Sequence, residues 1–511
     1  METTEAEVVM LLANPQAYAS SPESVALIET HCARVFLAGN EALKVKKRVR
    51  LPFLDFTTLE ARRAACSREM ELNRRYAPGI YLGLTPITRE KNGELAIAGD
   101  GEVVDWAVRM RRFDQDHLLA HVARQGPLAP ALSRSIAAMV VRYHRACPII
   151  AVSDAGGMRA VVRGLVDELD TAKELVSADV AAAFRERAEA ALDRIAALLG
   201  QRAASGAVRR CHGDLHLGNI VLDHGQPVAF DALEFNEALA TIDVLYDLAF
   251  LLMDLEQHGD RPAANVVLND YCLAAPVGHE IEGLGCLSLF LACRVAVRTV
   301  VAIERARQMA GSSANREAPS VARLMESANR YLDPPKPALT AVGGLSGTGK
   351  STLAASLAPY LGAAPGAIHL RSDVERKRLF GVAETSRLGA AQYGGEVTEQ
   401  VYRLLYDKAE RVLASGHSVI VDAVFAAREE RMAIAAVAER AGCAFLGLWL
   451  EAPAADLIAR VEARRGDASD ADAAVVRSQL GSDLGEMTWQ RIDAAGTPAA
   501  VLAQALSHVE T

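Results

Sequence analysis

Apolar and polar positions along the chain fall into three regimes. Short alternating runs come first. Ala33-Arg-Val-Phe-Leu37 and Ala42-Leu-Lys-Val-Lys46, parted by Ala38-Gly-Asn40, predict a β-hairpin. Tyr81-Leu-Gly-Leu-Thr-Pro-Ile87 and Val103-Val-Asp-Trp-Ala-Val-Arg-Met110, on either side of Lys91-Asn-Gly93, predict two more strands. Residues 57–75 lie between the pairs with helical spacing and stop before Pro78. Residues 1–30 are expected to be helical, so the predicted order is β-β-α-β-β, a small antiparallel lobe.

The second regime is helical, over about 130–199 and again from Asp243 to about 330. It is interrupted by Val208-Arg-Arg-Cys-His-Gly-Asp-Leu-His-Leu-Gly-Asn-Ile-Val-Leu222, a turn at Asp223-His-Gly225, and Val228-Ala-Phe-Asp231. The third regime alternates strand and helix. Ala338-Leu-Thr-Ala-Val342, Ala367-Ile-His-Leu-Arg371, Ser418-Val-Ile-Val421 and Phe445-Leu-Gly-Leu-Trp-Leu450 read as buried strands, with helices after the first and over about 397–414. Pro334-Pro-Lys-Pro337 separates the second and third regimes and is the natural linker. The expected domains are therefore 1–333 and 338–511, joined by 334–337.

Composition narrows the class. With 511 residues, 51% hydrophobic and 23% charged, the chain is globular and too long for a single core. A net charge of −9 leaves no global basic field for nucleic acid, although Lys44-Val-Lys-Lys-Arg-Val-Arg50 is a local basic run. The eight cysteines show no Cys-x-x-Cys spacing, which argues against a zinc site or disulfide framework and fits a reducing cytoplasm. The apolar stretch 283–303 is broken by Arg294 and Arg298 and is expected to be a buried helix, not a membrane span.

Two stretches carry chemistry. Gly344-Leu-Ser-Gly-Thr-Gly-Lys-Ser351 spells G-x-x-x-x-G-K-S between a predicted strand and a predicted helix that begins at Thr352. Backbone N–H groups of Gly344, Leu345, Ser346, Gly347, Thr348 and Gly349 can wrap a phosphate, and the helix N-terminus adds a favourable dipole. Lys350 would reach the β- and γ-phosphates and Ser351 would ligate Mg²⁺, so a nucleoside triphosphate such as ATP is the implied ligand. The second stretch is His212-Gly-Asp-Leu-His-Leu-Gly-Asn219, followed by a hairpin and Asp231. Asp214 is placed to orient and deprotonate a hydroxyl, with Asn219 and Asp231 as Mg²⁺ ligands, a set suited to phosphoryl transfer. His212 and His216 are read as supports for the loop.

These residues resemble the aminoglycoside-phosphotransferase-like branch of the protein-kinase fold over about residues 30–330. The resemblance implies a bilobal α+β domain. It gives Lys44, in Ala42-Leu-Lys44, the α/β-phosphates and Glu69, in Arg68-Glu-Met-Glu-Leu72, its ion pair, with Lys46 and Glu71 as alternates. It makes 106–113 the hinge beside adenine and Asp247 a brace of the catalytic loop. No G-x-G-x-x-G lies in the hairpin, so a shorter loop must cover the phosphates.

The C-terminal part resembles small P-loop kinases, a group that includes polynucleotide 5′-kinases and zeta-toxin-like and gluconate-type kinases. Its fold would be an α/β P-loop NTPase fold with a parallel sheet. The resemblance implies Asp373 as general base, Arg376 steadying the acceptor, and Asp422 as either a Mg²⁺ ligand or an acceptor contact. One arginine among Arg460, Arg464 and Arg465 would serve the transferring phosphate from a lid, with Arg464 favoured and 466–469 as its hinge. The whole chain resembles bacterial fusions of these two domains. That implies an ATP- and Mg²⁺-dependent kinase, bifunctional and cytoplasmic, acting on hydroxyls of small molecules. A nucleotide-gated regulator and a nucleic-acid end kinase are the alternatives, the latter weakened by the acidic balance. The acidity of Glu234, Glu237, Asp254 and Glu256 bears on whether a polycationic acceptor is accommodated.

Overall fold

The computed structural model describes residues 4–30, 32–51, 54–151, 156–308, 314–464 and 466–509. The chain forms two compact units, one of residues 1–153 with 206–258, the other of 154–205 with 259–511.

The first unit holds a six-stranded sheet of order Val25–Glu29, Ala33–Ala38, Glu41–Lys46, Glu102–Arg111, Tyr81–Arg89, Leu95–Ile97, antiparallel throughout. The predicted hairpin turns at Gly39, whose φ of 54° suits glycine. Residues 25–29 are a strand and not part of an N-terminal helix, which runs only over Glu5–Ala13. Val-Ala-Leu-Ile has no alternation to read, and sheet-edge hydrogen bonding to 34–38 decides its conformation.

Helix Leu59–Tyr76 packs on this sheet. The Thr58 side chain caps it by accepting the Ala61 N–H at 3.2 Å. Its buried face runs through Arg62, Cys66, Glu69, Met70, Asn73 and Tyr76, a helical spacing that carries three polar side chains inward. Below lie helix Pro130–Ala146, the short strands Val208–Arg210, Ile220–Asp223 and Gln226–Ala229, and the almost wholly buried helix Val244–Gln257.

The second unit is built on a five-stranded parallel sheet of order Ile368–Arg371, Val419–Asp422, Ala338–Gly344, Ala444–Glu451, Gln490–Asp493. The last strand was not expected, because its sequence Gln-Arg-Ile-Asp has one buried position. Parallel strands end together, so the loops after residues 344, 371 and 422 meet at one end of the sheet. Helix Lys350–Leu357 follows the first of these loops.

The same unit contains the helices Gly156–Thr171, Ala178–Ala204, Arg261–Ala274, Leu287–Gln308 and Ala314–Tyr331, together with the linker stretch 334–337. Helix Arg261–Ala274 lies along the outer edge strand. The Asn265 and Asn269 amides donate to the Ala367 carbonyl at 3.1 and 3.2 Å, and the His369 N–H donates to Asn269 Oδ1 at 2.7 Å. Among the described residues, the one helical stretch long and apolar enough to cross a membrane, Glu280–Arg307, is mostly buried within the protein.

Candidate functional site

Each unit gathers one set of the expected residues. In the first, Lys44 and Lys46 stand two apart on strand Glu41–Lys46 and point to one side of the sheet. That side faces helix Leu59–Tyr76, which presents Glu69 from its buried face while Glu71 is exposed and pairs with Arg68 and Arg75. Glu69 takes both lysines, Lys44 Nζ at 2.8 Å and Lys46 Nζ at 2.7 Å. Against the cost of desolvation, the two ammonium charges hold its carboxyl down to about 2.

The lysines differ in their second partner. Lys44 reaches Asp231 at 2.5 Å, and Lys46 pairs with the buried Glu234. The Asp231 side chain is 39% exposed and that of Glu234 only 6%. Lys44 thus borders the open site, and Lys46 lies behind it.

Asp231 has φ 61°, an uncommon left-handed conformation for a non-glycine residue. It is pinned on both sides, with its own N–H donated to Tyr81 Oη at 3.1 Å and the next N–H, of Ala232, donated to Asn73 Oδ1 at 2.7 Å. Asn73 in turn donates to the Glu69 carbonyl. One helix therefore fixes both the lysine's partner and the turn carrying Asp231.

The loop from His212 to Asn219 is held from beneath. Asp247 accepts the N–H groups of His212 at 3.2 Å and Gly213 at 2.9 Å, and Asp254 accepts that of Leu217 at 2.9 Å. His212 Nε2 bonds the Phe230 carbonyl, and desolvation lowers its pKa, disfavouring the charged ring. His216 caps the following turn through its ring nitrogen and the Gly218 N–H. Both histidines therefore support the loop. Asp214 is half-exposed, and Asn219 donates to its carbonyl at 3.0 Å and its Oδ2 at 2.9 Å. With Nδ2 so occupied, Asn219 has its amide oxygen left to offer. Residues 106–111 belong to strand Glu102–Arg111, and Phe113 stacks against Phe230.

The acidic residues considered for a polycationic acceptor are mostly engaged: Glu234 by Lys46, Glu237 by Arg68 and Arg210, Asp254 by the Leu217 amide. Sequence reasoning did not find Asp254's role. Its spacing of seven from Asp247, two turns along one helix face, was the available signal.

In the second unit, Gly344, Gly347 and Gly349 all have positive φ, at 143°, 87° and 90°. A Cβ on Gly347 would meet the Leu457 carbonyl oxygen at 2.6 Å, whereas one on Gly349 would stand in open space. The loop is thus tight on its protein side and open on the other, the shape a phosphate cradle needs. Lys350 Nζ donates to the Leu345 carbonyl at 3.0 Å, and desolvation lowers its pKa, which an anion in the cradle would reverse. Thr348 closes the loop by donating its hydroxyl to Leu345 O, and the Ser346 N–H donates to Gln479 Oε1 at 2.8 Å. Thr352 lies in the first turn of the helix that follows.

Ser351 Oγ donates to Asp422 Oδ1 at 3.0 Å, and His369 Nε2 sits 2.5 Å from Asp422 Oδ2. Desolvation works against the Asp422 carboxylate, but the His369 contact and the charges of Arg371 and Lys350 outweigh it and lower its pKa. Asp373 moves the other way, raised by desolvation and by the neighbouring Asp422 charge. The two neighbouring carboxyls are thus pushed apart in pKa, Asp422 down and Asp373 up.

The stretch 466–469 is more than a hinge. Asp467 takes Arg371 Nη2 at 3.1 Å and Arg464 Nε at 3.5 Å. Asp470 accepts from Lys377, from the Leu388 N–H and from the Tyr393 hydroxyl. Arg376 is buried, stacked on Tyr393 and bonded to the Gln392 carbonyl and the Thr398 hydroxyl, which orders the segment after its own helix. Arg460 holds the Ala494 carbonyl at 2.9 Å, Arg464 lies close enough for its charge to bear on Lys350, and Arg465 falls outside the described residues. His369, Asp467 and Asp470 were not singled out from sequence. His369 shares a strand face with Arg371, a visible hint, but nothing local ties 467 and 470 to their partners.

Both donor sets, Asn219 with Asp231 and Ser351 with Asp422, consist of oxygens, the chemistry Mg²⁺ takes.

Comparison with known proteins agrees with this division. The phosphotransferase enzyme family matches residues 96–284, and an AAA domain family matches residues 339–482. The uncharacterized proteins Rv2004c of Mycobacterium tuberculosis and Mb2027c of Mycobacterium bovis are each 32% identical over 478 residues, 92% of this chain and 92% of theirs. Among solved structures, the ADP-bound aminoglycoside phosphotransferase APH(2'')-Ib is 15% identical, with 64% of this chain and 99% of that one covered at a TM-score of 0.36. The ethanolamine kinase of Plasmodium vivax is 11% identical (63% and 87% covered, TM-score 0.38). A gluconokinase from Sinorhizobium meliloti 1021 is 21% identical (34% and 92% covered, TM-score 0.25). The chain belongs to the family of the two mycobacterial proteins, a fusion of a protein-kinase-like phosphotransferase domain with a P-loop kinase domain, and it is an ATP-dependent kinase.

Proposed function

We propose that the protein is a bifunctional kinase in which each site transfers the γ-phosphoryl group of ATP to a hydroxyl of a small molecule. One observation supports this reading: each compact unit holds its own lysine, a pair of oxygen donors and a further carboxylate beside them. In the first unit Lys44, kept in place by Glu69, holds phosphate oxygens, Asn219 and Asp231 hold Mg²⁺, and Asp214 accepts the acceptor's proton. In the second, residues 344–352 hold the phosphates, Ser351 and Asp422 hold Mg²⁺, Asp373 accepts the proton, and Arg464 steadies the transferring group. Bound Mg²⁺ supplies positive charge to the phosphate oxygens at both sites. A cytoplasmic location fits eight free cysteines, six of them buried.

The test is γ-labelled ATP incubated with the full-length protein and a metabolite extract, with labelled products identified. The wild type should yield two product sets, one lost in Asp214→Asn and the other in Lys350→Ala. Products abolished by Lys350→Ala and untouched by Asp214→Asn would leave the first unit without catalysis and refute bifunctionality. Transfer to oligonucleotide ends instead of small molecules would replace the acceptor class.

A further inference from the structure

Beneath the His212–Asn219 loop lies a pair of thiols that phosphoryl transfer does not use. Helix Pro130–Ala146 ends at Cys147, whose φ −65° and ψ 134° are extended, and the chain then runs antiparallel to Val208–Arg210. Ile149 pairs with Arg209 in a β-bridge, the Ile150 N–H donates to the Val208 carbonyl at 3.1 Å, and the Arg210 N–H donates to the Pro148 carbonyl at 3.0 Å. In this register Cys147 stands opposite Cys211, and the bonds at 148/210 and 150/208 make 147/211 a non-hydrogen-bonded pair. Such pairs have Cα atoms about 4.5 Å apart with side chains closest, within the span a disulfide bridges. The Cys211 Sγ donates to the Ile242 carbonyl at 3.5 Å, and the thiol lies near enough to Cys147 to influence its sulfur. Cys211 immediately precedes His212-Gly213-Asp214, and its own N–H is tied to the Ala240 carbonyl at 2.8 Å.

We propose that Cys147 and Cys211 form a reversible cross-strand disulfide on exposure to a hydroperoxide, and that this bond switches off the first unit's transfer by displacing the loop that carries Asp214. The bond depends only on the thiol pair; its consequence for transfer rests on the reading of Asp214 above.

The surroundings favour Cys147 as the attacking sulfur. It retains 7% exposure while Cys211 has none. The neighbouring Cys211 thiol is the largest influence on it; against desolvation, the nearby His144 and the Tyr76 hydroxyl at 3.6 Å also favour the thiolate, and Asp247 opposes it. Together they bring the Cys147 thiol down to about 6. A lowered thiol pKa favours the nucleophilic thiolate. The Cys147 thiolate attacks one peroxide oxygen, the O–O bond breaks, and hydroxide or alkoxide leaves as Cys147 becomes a sulfenic acid. The Cys211 sulfur then attacks Cys147, the S–O bond breaks, and water departs with the Cys211 proton. The thiols lose two electrons and the peroxide gains two. A dithiol reductant reverses the bond by exchange.

Exposure alone predicts a different outcome, because Cys32 and Cys443 are the less buried cysteines, and desolvation raises both of their pKa values. The experiment is brief hydrogen peroxide treatment of full-length protein from pH 5 to 8, followed by alkylation, digestion and mass mapping. We expect a linked Cys147–Cys211 peptide, reversed by dithiothreitol, forming fastest above pH 6 and absent in Cys147→Ser. Cys211→Ser should instead stop at sulfenic acid on Cys147, which a dimedone tag reads even if transfer is impaired by the substitution. Oxidation confined to Cys32 and Cys443 with both buried thiols intact would overturn the proposal. So would stoichiometric zinc in the purified protein, held by His144, Cys211 and Asp247, whose donor atoms lie within 4.8 Å of one another. A linked peptide with transfer unchanged would refute the switch and leave the bond.

Discussion

Lys44 and Lys46 share Glu69, yet their burial predicts opposite consequences when each is replaced by methionine. In Lys46→Met the cation between Glu69 and Glu234 is lost, and the side chains of these two carboxylates are 0% and 6% exposed. Removing one partner of a buried ion pair costs about 3–5 kcal/mol, because water cannot reach the charge left behind. Lys44 still neutralises part of Glu69, so Glu234 carries most of the penalty. At about 2–4 °C per kcal/mol for a unit of about 200 residues, the transition of the first unit should fall by about 6–20 °C. Desolvation already raises the pKa of Glu234, and losing Lys46 raises it further. A carboxyl with its folded pKa raised contributes stability at low pH that is lost as pH rises through that value, so the deficit should shrink toward pH 5. Lys44→Met instead releases Asp231, which water already solvates, while Lys46 keeps Glu69 paired. Its unfolding should stay within about 1 kcal/mol of wild type while ATP affinity at the first site collapses. Calorimetric unfolding of full-length protein and titration with a non-hydrolysable ATP analogue read both quantities. Wild-type stability in Lys46→Met together with lost nucleotide binding would make Lys46 the phosphate lysine and refute this assignment.

Three further outcomes are expected. Asp247→Asn leaves one of the His212 and Gly213 N–H groups without its acceptor, so it should cost about 1–3 kcal/mol of stability and slow transfer at the first site, seen in parallel unfolding and turnover measurements. Asp373→Asn should keep ATP affinity at the second site and slow transfer by about 10²–10⁴, and the wild type's acidic limb should lie above an ordinary aspartate's pKa because desolvation and Asp422 raise Asp373. His369→Ala should weaken Mg²⁺-dependent nucleotide binding and remove part of the acid sensitivity of the second unit. The lowered Asp422 pKa gives stability that is full above the unfolded value of about 3.8 and lost as pH falls through the folded one, which acid titration of the unfolding midpoint measures.

Local pattern carried much of the architecture. The hairpin 33–46, the helix bearing Glu69, the strand–loop–helix around Lys350 and the strands ending near Asp373 and Asp422 are all readable from periodicity and turn residues. The choice of Glu69 over Glu71 is readable too: Arg62, Cys66, Glu69, Asn73 and Tyr76 follow one helical face, although a search for apolar residues alone passes over the three polar ones. Two exposed edge strands were not legible. Val25–Glu29 and Gln490–Asp493 are largely exposed, and their pairing is decided by neighbours in the sheet and not by their own composition. The site supports were least legible, because Asp467, Asp470 and His369 find partners across 96, 93 and 53 residues of chain.

The stretch Pro334-Pro-Lys-Pro337 reads as a boundary, yet both it and the helices before it belong to the compact unit of the P-loop sheet. The physical reason lies at the sheet's outer edge. Strand Ile368–Arg371 pairs on one side only with Val419–Asp422, and an uncovered edge of this kind invites association with other chains. Helix Arg261–Ala274 covers it with two asparagines, and the fit is close: a Cβ on Gly366 would come within 2.8 Å of Asn265 Nδ2. Asn269 fixes the His369 backbone while the His369 ring fixes Asp422, so one residue of the phosphotransferase-matched segment stands two hydrogen bonds from the carboxylate proposed above for Mg²⁺. A fragment beginning at residue 338 would keep every group proposed above for the second site's nucleotide and lose the support of one of them. The expected boundary at 334–337 therefore falls inside one compact unit, in which Asn265 and Asn269 brace the edge strand that carries His369.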